Sequence, residues 1–362
     1  MRPTIKDLDD GAKWLAFKKN KIMKKESTAY LGIDVSKLTL DVSLLMINNH
    51  QKEPMITERF ENNVQGIKVL HSWLKKKKVS FNKSSLVVME NTGIYHRLIW
   101  EYCSAHNLPI HIGNATHIKW SFGIARGKND RVDSQRLCSY ACKHSDELKA
   151  TPALNRVLIT LKDLKTARSS LLAKMNSIKV YLKELTLSNS QEVQKMMEDA
   201  HQSALSGLKT SLKEIEKQID KIIAEDIAIK KNYDLLVSVP GIGHLTAVLL
   251  ICCTNNFAGK VTGKQLACYA GVVPFEHTSG TSIKGRNRVH KMANKELKKM
   301  LYLCATSSIQ HYDEFKDYYQ RKQAEGKHNM SILNAIKNKI ILRAVAVVQK
   351  QKAYVDNYKK AA

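Results

Sequence analysis

From residue 30 onward, short apolar runs and amphipathic stretches follow one another closely. Residues 30–35 read as a strand, and Ser36 and Lys37 can turn it into a second. There Leu38, Leu40, Val42 and Leu44 alternate with Thr39, Asp41 and Ser43. This is the period of a half-buried strand, and it directs Asp41 outward. Residues 56–61 predict a third strand, after which Val64, Ile67, Leu70 and Leu74 recur at helical spacing. Residues 86–89 form a buried apolar strand that ends at Glu90. Thr92 then caps a helix carrying Tyr95, Leu98, Ile99 and Tyr102. Residues 109–112 predict a fifth strand, and helices run from about 115 to 144. Three strands, then helix, strand, helix, strand, helix is the order of an α/β layer.

The middle of the chain has a different period. Leu154, Leu161, Met175 and Leu182 occupy one heptad position, and Val157, Leu164, Leu171, Ile178 and Leu185 the other, with Arg168 the only break. A second run holds Leu205, Leu208, Leu212, Ile215, Ile219 and Ile222. Two long helices separated by the polar stretch 188–194 predict an antiparallel hairpin or an intermolecular coiled coil, a scaffold for oligomerisation. Past Tyr233, Gly241-Ile242-Gly243 precedes a helix over 245–251. Such a helix-hairpin-helix-like turn can offer backbone N–H groups to phosphate, and a tight helix–helix turn uses the same residues. The polar stretch 276–282 follows, then Lys284, Arg286, Arg288, His290 and Lys291, then a mainly helical tail. The organisation is a basic arm (1–29), an α/β domain (30–150), long helices (151–230), a C-terminal domain (231–350) and a tail (351–362).

Composition adds a partner. Fifty-nine Lys+Arg against 33 Asp+Glu give a net charge of +26, which points to a polyanion and favours nucleic acid over membrane. Residues 1–29 contribute Lys18, Lys19, Lys21, Lys24 and Lys25. No stretch approaches the roughly 18 apolar residues of a membrane span, and no signal-peptide order opens the chain. Seven cysteines without a Cys-x-x-Cys pair predict buried reduced thiols rather than a zinc site, hence a cytoplasmic protein.

Against that basic background the acids are informative. Asp34 lies in a strand, Glu90 ends one, and Asp130 and Asp133 are three apart, so that a helix places them on one face. An acid in an apolar strand is costly unless it is paired or binds metal. Carboxylates brought together this way can hold two cations about 3.5–4 Å apart for phosphoryl chemistry, as ribonuclease-H-like enzymes do. Hard oxygen ligands suit Mg2+ (or Mn2+), which leaves His96 and His144 as surface histidines.

Three segments, Gly-Ile-Asp-Val-Ser-Lys (32–37), Met-Glu-Asn-Thr-Gly (89–93) and Lys-Asn-Asp-Arg-Val-Asp-Ser-Gln-Arg-Leu (128–137), resemble those of DEDD-type insertion-sequence transposases. These have a RuvC-like, ribonuclease-H-like N-terminal domain, and the Piv site-specific invertases are their relatives. Val-Pro-Gly-Ile-Gly (239–243), Ala-Gly-Val-Val-Pro (270–274), a Ser-Gly pair and the stretch 319–327 are similar to the family's second half. The resemblance implies a DNA recombinase acting with Mg2+ through Asp34, Glu90, Asp130 and Asp133. It also implies a serine nucleophile at Ser279, a structured noncoding guide (bridge) RNA as partner, and a homotetramer built as a dimer of dimers. The setting it implies is the prokaryotic cytoplasm, in association with the nucleoid.

The residues around Ser279 make their own case. A hydroxyl nucleophile needs an accessible loop, a following glycine and nearby cations, and Ser279-Gly280 with Lys284, Arg286 and Arg288 supplies them. A polar glycine-containing loop fits the same letters, and Thr278, Thr281 and Ser282 are further hydroxyls. Gly241, Gly243, Lys284, Arg286, Arg288 and Lys291 are the expected nucleic-acid contacts. The rival readings are a junction nuclease using water, a non-catalytic nucleic-acid-binding scaffold, and a recombinase using Tyr318 or Tyr319.

Overall fold

The computed structural model describes residues 27–82, 84–122, 129–187, 190–259, 261–279, 283–289 and 292–356. The N-terminal basic residues 1–26 and the end of the tail lie outside them. Two compact units meet in sequence at Leu154 and Asn155.

The first unit is built on a mixed sheet. Its strands are β1 (Ser27–Val35), β2 (Thr39–Asn48), β3 (Gln51–Lys52), β4 (Ile56–Glu61), β5 (Ser85–Glu90) and β6 (Ile110–Gly113). β2 runs antiparallel to β1 and β4, while β1, β5 and β6 are mutually parallel. The spatial order β4-β2-β1-β5-β6 therefore places β1 at the centre, with the short β3 on the far end of β2. β3 was not expected, since two residues carry no period. The helices are α1 (Val64–Lys76), α2 (Arg97–Ala105), α3 (Ala115–Ser121) and α4 (Asp130–Lys143). Asn63 caps α1 by accepting from the Gly66 N–H.

Two expectations on β2 fail. Leu38 is 72% exposed, because it belongs to the turn before the strand. Asp41 is buried, at 5% exposure, although the alternation turned it to solvent. β2 is an interior strand, and α4 covers the face that carries Asp41 and Ser43. Buried Ser43 shares a 2.8 Å hydrogen bond with Ser134 of α4. Alternation separates the two faces of a strand but does not say that either one is wet.

The second unit is helical. α5 (Arg156–Leu185) and α6 (Gln191–Glu225) pack on each other as an antiparallel hairpin. α7 (Ile227–Val237), α8 (His244–Cys253), α9 (Gly263–Tyr269), α10 (Lys295–His311), α11 (Asp313–Ala324) and α12 (Asn329–Lys350) follow, with β7 (Phe275–Ser279) and β8 (Ile283–Arg288) forming a two-stranded ribbon. Leu158, Leu161, Ile219 and Ile223 at the base of the helical hairpin share one apolar core with α8, α10 and α12. Val157 is 38% exposed and Leu158 takes the seam position instead, a one-residue shift from the heptad frame. Arg168 breaks the heptad because its Nε donates to Glu216 of α6 at 2.8 Å. All seven cysteines are free. No helix among the described residues is long and apolar enough to cross a membrane.

Candidate active site

Asp34 sits one residue from the C-terminal end of β1, directly opposite Asp41 of β2, which in turn lies opposite Arg59 of β4. Residues paired across antiparallel strands share a face. On β5, Val88 pairs with Gly32 and packs against Leu137 and Ala141 of α4, so Glu90, two residues on, shares that face. α4 supplies the remaining acids. Asn129 caps it by accepting from the Arg131 N–H at 3.0 Å, and Asp130 and Asp133 occupy its first turn, where the helix dipole favours negative charge. Gly32 admits α4 to this face, since a Cβ there would meet the Cys138 nitrogen at 2.0 Å and the Ser134 carbonyl oxygen at 2.2 Å.

Convergence leaves an electrostatic signature. Burial, followed by the charges of Asp130, Asp133, Glu90 and Asp41, pushes the Asp34 carboxyl up to about 6. A half-buried acid surrounded by four others, offering only hard oxygen donors, matches a divalent ion of the Mg2+ class in chemistry. Three of the acids are engaged by guanidinium groups. Arg59 binds Asp41 and reaches Asp130, while Arg136 binds Asp133 at 2.8 Å. In this arrangement no three His, Cys, Asp or Glu residues among those described stand close enough to hold one ion together.

Arg59 has no counterpart among the residues expected from the sequence, and Asp41 ranks there only as a weaker candidate because its alternation turns it outward. The available signal for Asp41 is a charge in the middle of an apolar strand, whereas Arg59 lies in a strand with charges on both sides of it. Two lesser expectations need correction. His96 is buried at 5% exposure, with Nδ1 accepting from the Thr92 N–H at 3.2 Å, because the chain folds back between β5 and α2. Thr92 accordingly caps no helix, and α2 begins only at Arg97. His144 is half-buried and near Glu147 at 3.4 Å.

In the second unit, Ser279 is the last residue of β7, its backbone opposite Ile283 of β8. Lys284 and Arg286 lie on β8, and Arg288 ends it with its side chain exposed. Gly280, Thr281, Ser282, His290 and Lys291 lie outside the described residues. Gly241 has φ +86°, and a Cβ there would meet Ser308 Oγ at 2.0 Å, so close packing against α10 accounts for it. Gly243 is exposed as the N-cap of α8. Tyr318 and Tyr319 are partly buried against the helical core.

Two transposase family models match the chain. A DEDD transposase family of IS110 type covers residues 31–188, and the transposase IS116/IS110/IS902 family covers 233–320. The pilin gene-inverting protein of Moraxella bovis is 27% identical over 338 residues, 91% of this chain and 98% of that protein. Its Moraxella lacunata counterpart matches to the same extent. An uncharacterized protein of insertion element IS110 from Streptomyces coelicolor is 31% identical over 137 residues, 37% of this chain and 34% of its own length.

Proposed function

We propose that this chain, a DNA transposase of the DEDD IS110/IS116 type, cuts and rejoins DNA by serine attack at a carboxylate-bound divalent metal. The observation that carries the reading is Asp34 at a strand end, its carboxyl sensing four other acids on the same face of the sheet. Asp34, Glu90, Asp130 and Asp133 would hold Mg2+ or Mn2+, which when bound supplies charge neutralisation at the scissile phosphate.

Ser279 is the proposed nucleophile. Its Oγ forms a bond to phosphorus and the bond from phosphorus to the 3′ oxygen breaks. The serine proton ends on that oxygen, leaving a 3′ hydroxyl and a 5′-phosphoserine link. A 3′ hydroxyl from another strand reverses the step. The phosphodiester is conserved throughout, so no high-energy cofactor is consumed. Lys284, Arg286 and Arg288 lie on the strand that pairs with β7, where cations would attract a polyanion. Target choice would come from a bound noncoding guide RNA, and the acting form would be a tetramer assembled through α5 and α6.

Asp34→Ala is the direct test of the metal reading. It removes a carboxylate from the proposed cage yet changes a +26 chain very little, so strand cleavage should disappear while DNA binding persists. Full cleavage by Asp34→Ala would refute the site. Sequencing the RNA that co-purifies with the protein tests guidance. Affinity for a structured RNA no greater than for random RNA of equal length would remove that part of the reading.

A further inference from the structure

We propose that Arg59 is a positioning residue that takes the place of a divalent cation at Asp130 and leaves it when the ion binds. The inference rests on the metal-site reading of the acids. Arg59 lies on β4 opposite Asp41, and its Nε donates to both carboxylate oxygens at 3.1 and 3.2 Å. Its Nη2 is 3.1 Å from Asp41 Oδ2 and 3.5 Å from Asp130 Oδ2. One guanidinium thus joins a sheet carboxylate to the first turn of α4.

The two contacts are unequal, and the inequality gives the device its direction. Asp41 presents a side chain only 7% exposed, met by Nε and Nη2 together, which is the strong bidentate form. The Asp130 contact is long, and both its side chains are 56% exposed, so water and salt weaken it. Losing the first contact would bury an unpaired charge, whereas losing the second costs little. A cation competing for these carboxylates would therefore free Asp130 first and leave Arg59 anchored on Asp41. Without the ion, the same bridge ties the acidic turn of α4 to β4 and restrains repulsion among the acids. Arg136 binds Asp133 within α4.

Mn2+ uptake by the full-length chain without DNA tests this, read as the loss of free Mn2+ signal in electron paramagnetic resonance. Arg59→Gln removes the rival cation and should bind Mn2+ on the order of tenfold more tightly. Arg59→Lys keeps a charge at Asp41 but lacks the fork that spans both acids. It should show a smaller gain, and it carries the test if Arg59→Gln does not fold. Arg131→Gln removes the same charge from the first turn of α4 without touching the bridge, and should leave the affinity within about twofold of the parent. Unchanged or weaker binding in the Arg59 variants, or an equal gain in Arg131→Gln, overturns the proposal. If the parent takes up no Mn2+ that Asp34→Asn removes, the metal-site reading fails and this inference falls with it.

Discussion

Gly32 and Cys138 are in backbone contact, and a Cβ on Gly32 would stand 2.0 Å from the Cys138 nitrogen. α4 therefore crosses the central strand where that strand has no side chain, two residues before Asp34. The approach positions Asp130 and Asp133 on the face that Asp34 occupies. Gly32→Ala would meet backbone rather than a movable side chain. It should cost about 1–3 kcal/mol as an overpacking change and displace the acidic turn. Thermal unfolding and a strand-cleavage assay should both register the loss. An alanine variant with the parent's midpoint and activity would show that α4 has room to shift without consequence.

Hydroxyls fasten the same helix. Ser134 Oγ is 2.8 Å from Ser43 Oγ and also donates to the Arg131 carbonyl at 2.8 Å. Ser43 Oγ is in turn 2.8 Å from Thr57 Oγ1 of β4. A double-mutant cycle with Ser43→Ala and Ser134→Ala should yield a coupling of about 1 kcal/mol in urea unfolding. Additive losses would mean that the two hydroxyls act independently.

Asp34 and Glu90 stand out in the sequence because they interrupt or end apolar strands, and Asp130 and Asp133 because they are three apart at helical spacing. Strands β1 and β5 are equally legible, since Leu31, Ile33, Val87 and Val88 form apolar runs where both faces of the sheet are covered. Asp41 was misread for a physical reason, because its alternation is genuine but α4 arrives from 90 residues away to cover its face. Arg59 was missed for a related one, since nothing local records that β4 lies against β2. His96 stands in a stretch whose period reads as helix from Thr92, but the helix begins only at Arg97, and the burial of His96 follows from how the chain turns between β5 and α2. The β7–β8 ribbon holds only the apolar Phe275 and Ile283 among its polar residues, so neither its pairing nor the place of Ser279 at the end of β7 has an apolar period to announce it.

Acid should loosen the second unit at one identifiable point. Burial alone would raise the Glu314 carboxyl, but hydrogen bonds from Arg343 and Lys339 outweigh it and hold the pKa below the ordinary 4.5. Arg343 Nη2 lies 2.6 and 2.7 Å from the two carboxylate oxygens, and Lys339 Nζ 3.1 Å from one. A depressed folded-state pKa contributes stability that is present above the unfolded value and is lost as pH falls through the folded one. Stability measured downward from pH 5 should therefore decline less steeply in Glu314→Gln than in the parent. Parallel profiles would remove Glu314 from the acid response.

Apolar positions on the long hairpin exceed what its own packing covers. Val180, Tyr181, Leu187 and Met196 are exposed, and Leu171, Ile178 and Leu182 are only half-buried between α5 and α6. If these helices join copies of the chain, Leu171→Asp with Ile178→Asp places acids in the joint, where an unpaired charge is costly. The oligomer should then sediment as smaller species while helical content is preserved. A sedimentation profile unchanged by the pair would confine the hairpin's packing to one subunit.

Ser279 poses the sharpest chemical question, because a serine hydroxyl is a weak nucleophile until the phosphate it attacks has been neutralised. Ser279→Ala should keep fold, nucleic-acid binding and oligomer, yet form no covalent protein–DNA adduct and no recombinant product. Ser279→Cys should retain at most a trace of adduct, since sulfur is poorly matched to a hard phosphate site. Thr278→Ala and Ser282→Ala, trapped with denaturant beside it, show whether the neighbouring hydroxyls contribute. In the ribbon's backbone register Thr278 lies opposite Lys284 and Ser279 opposite Ile283, so the two candidate hydroxyls belong to neighbouring positions of one strand and need separate variants. An adduct that persists in Ser279→Ala but vanishes in Ser282→Ala would move the nucleophile along the chain. Persistence in all three would direct attention to Tyr318 or Tyr319, although both pack against the helical core. Cleavage by the parent protein with no adduct at all would make water the nucleophile, and the chain a nuclease that shares a recombinase's acids.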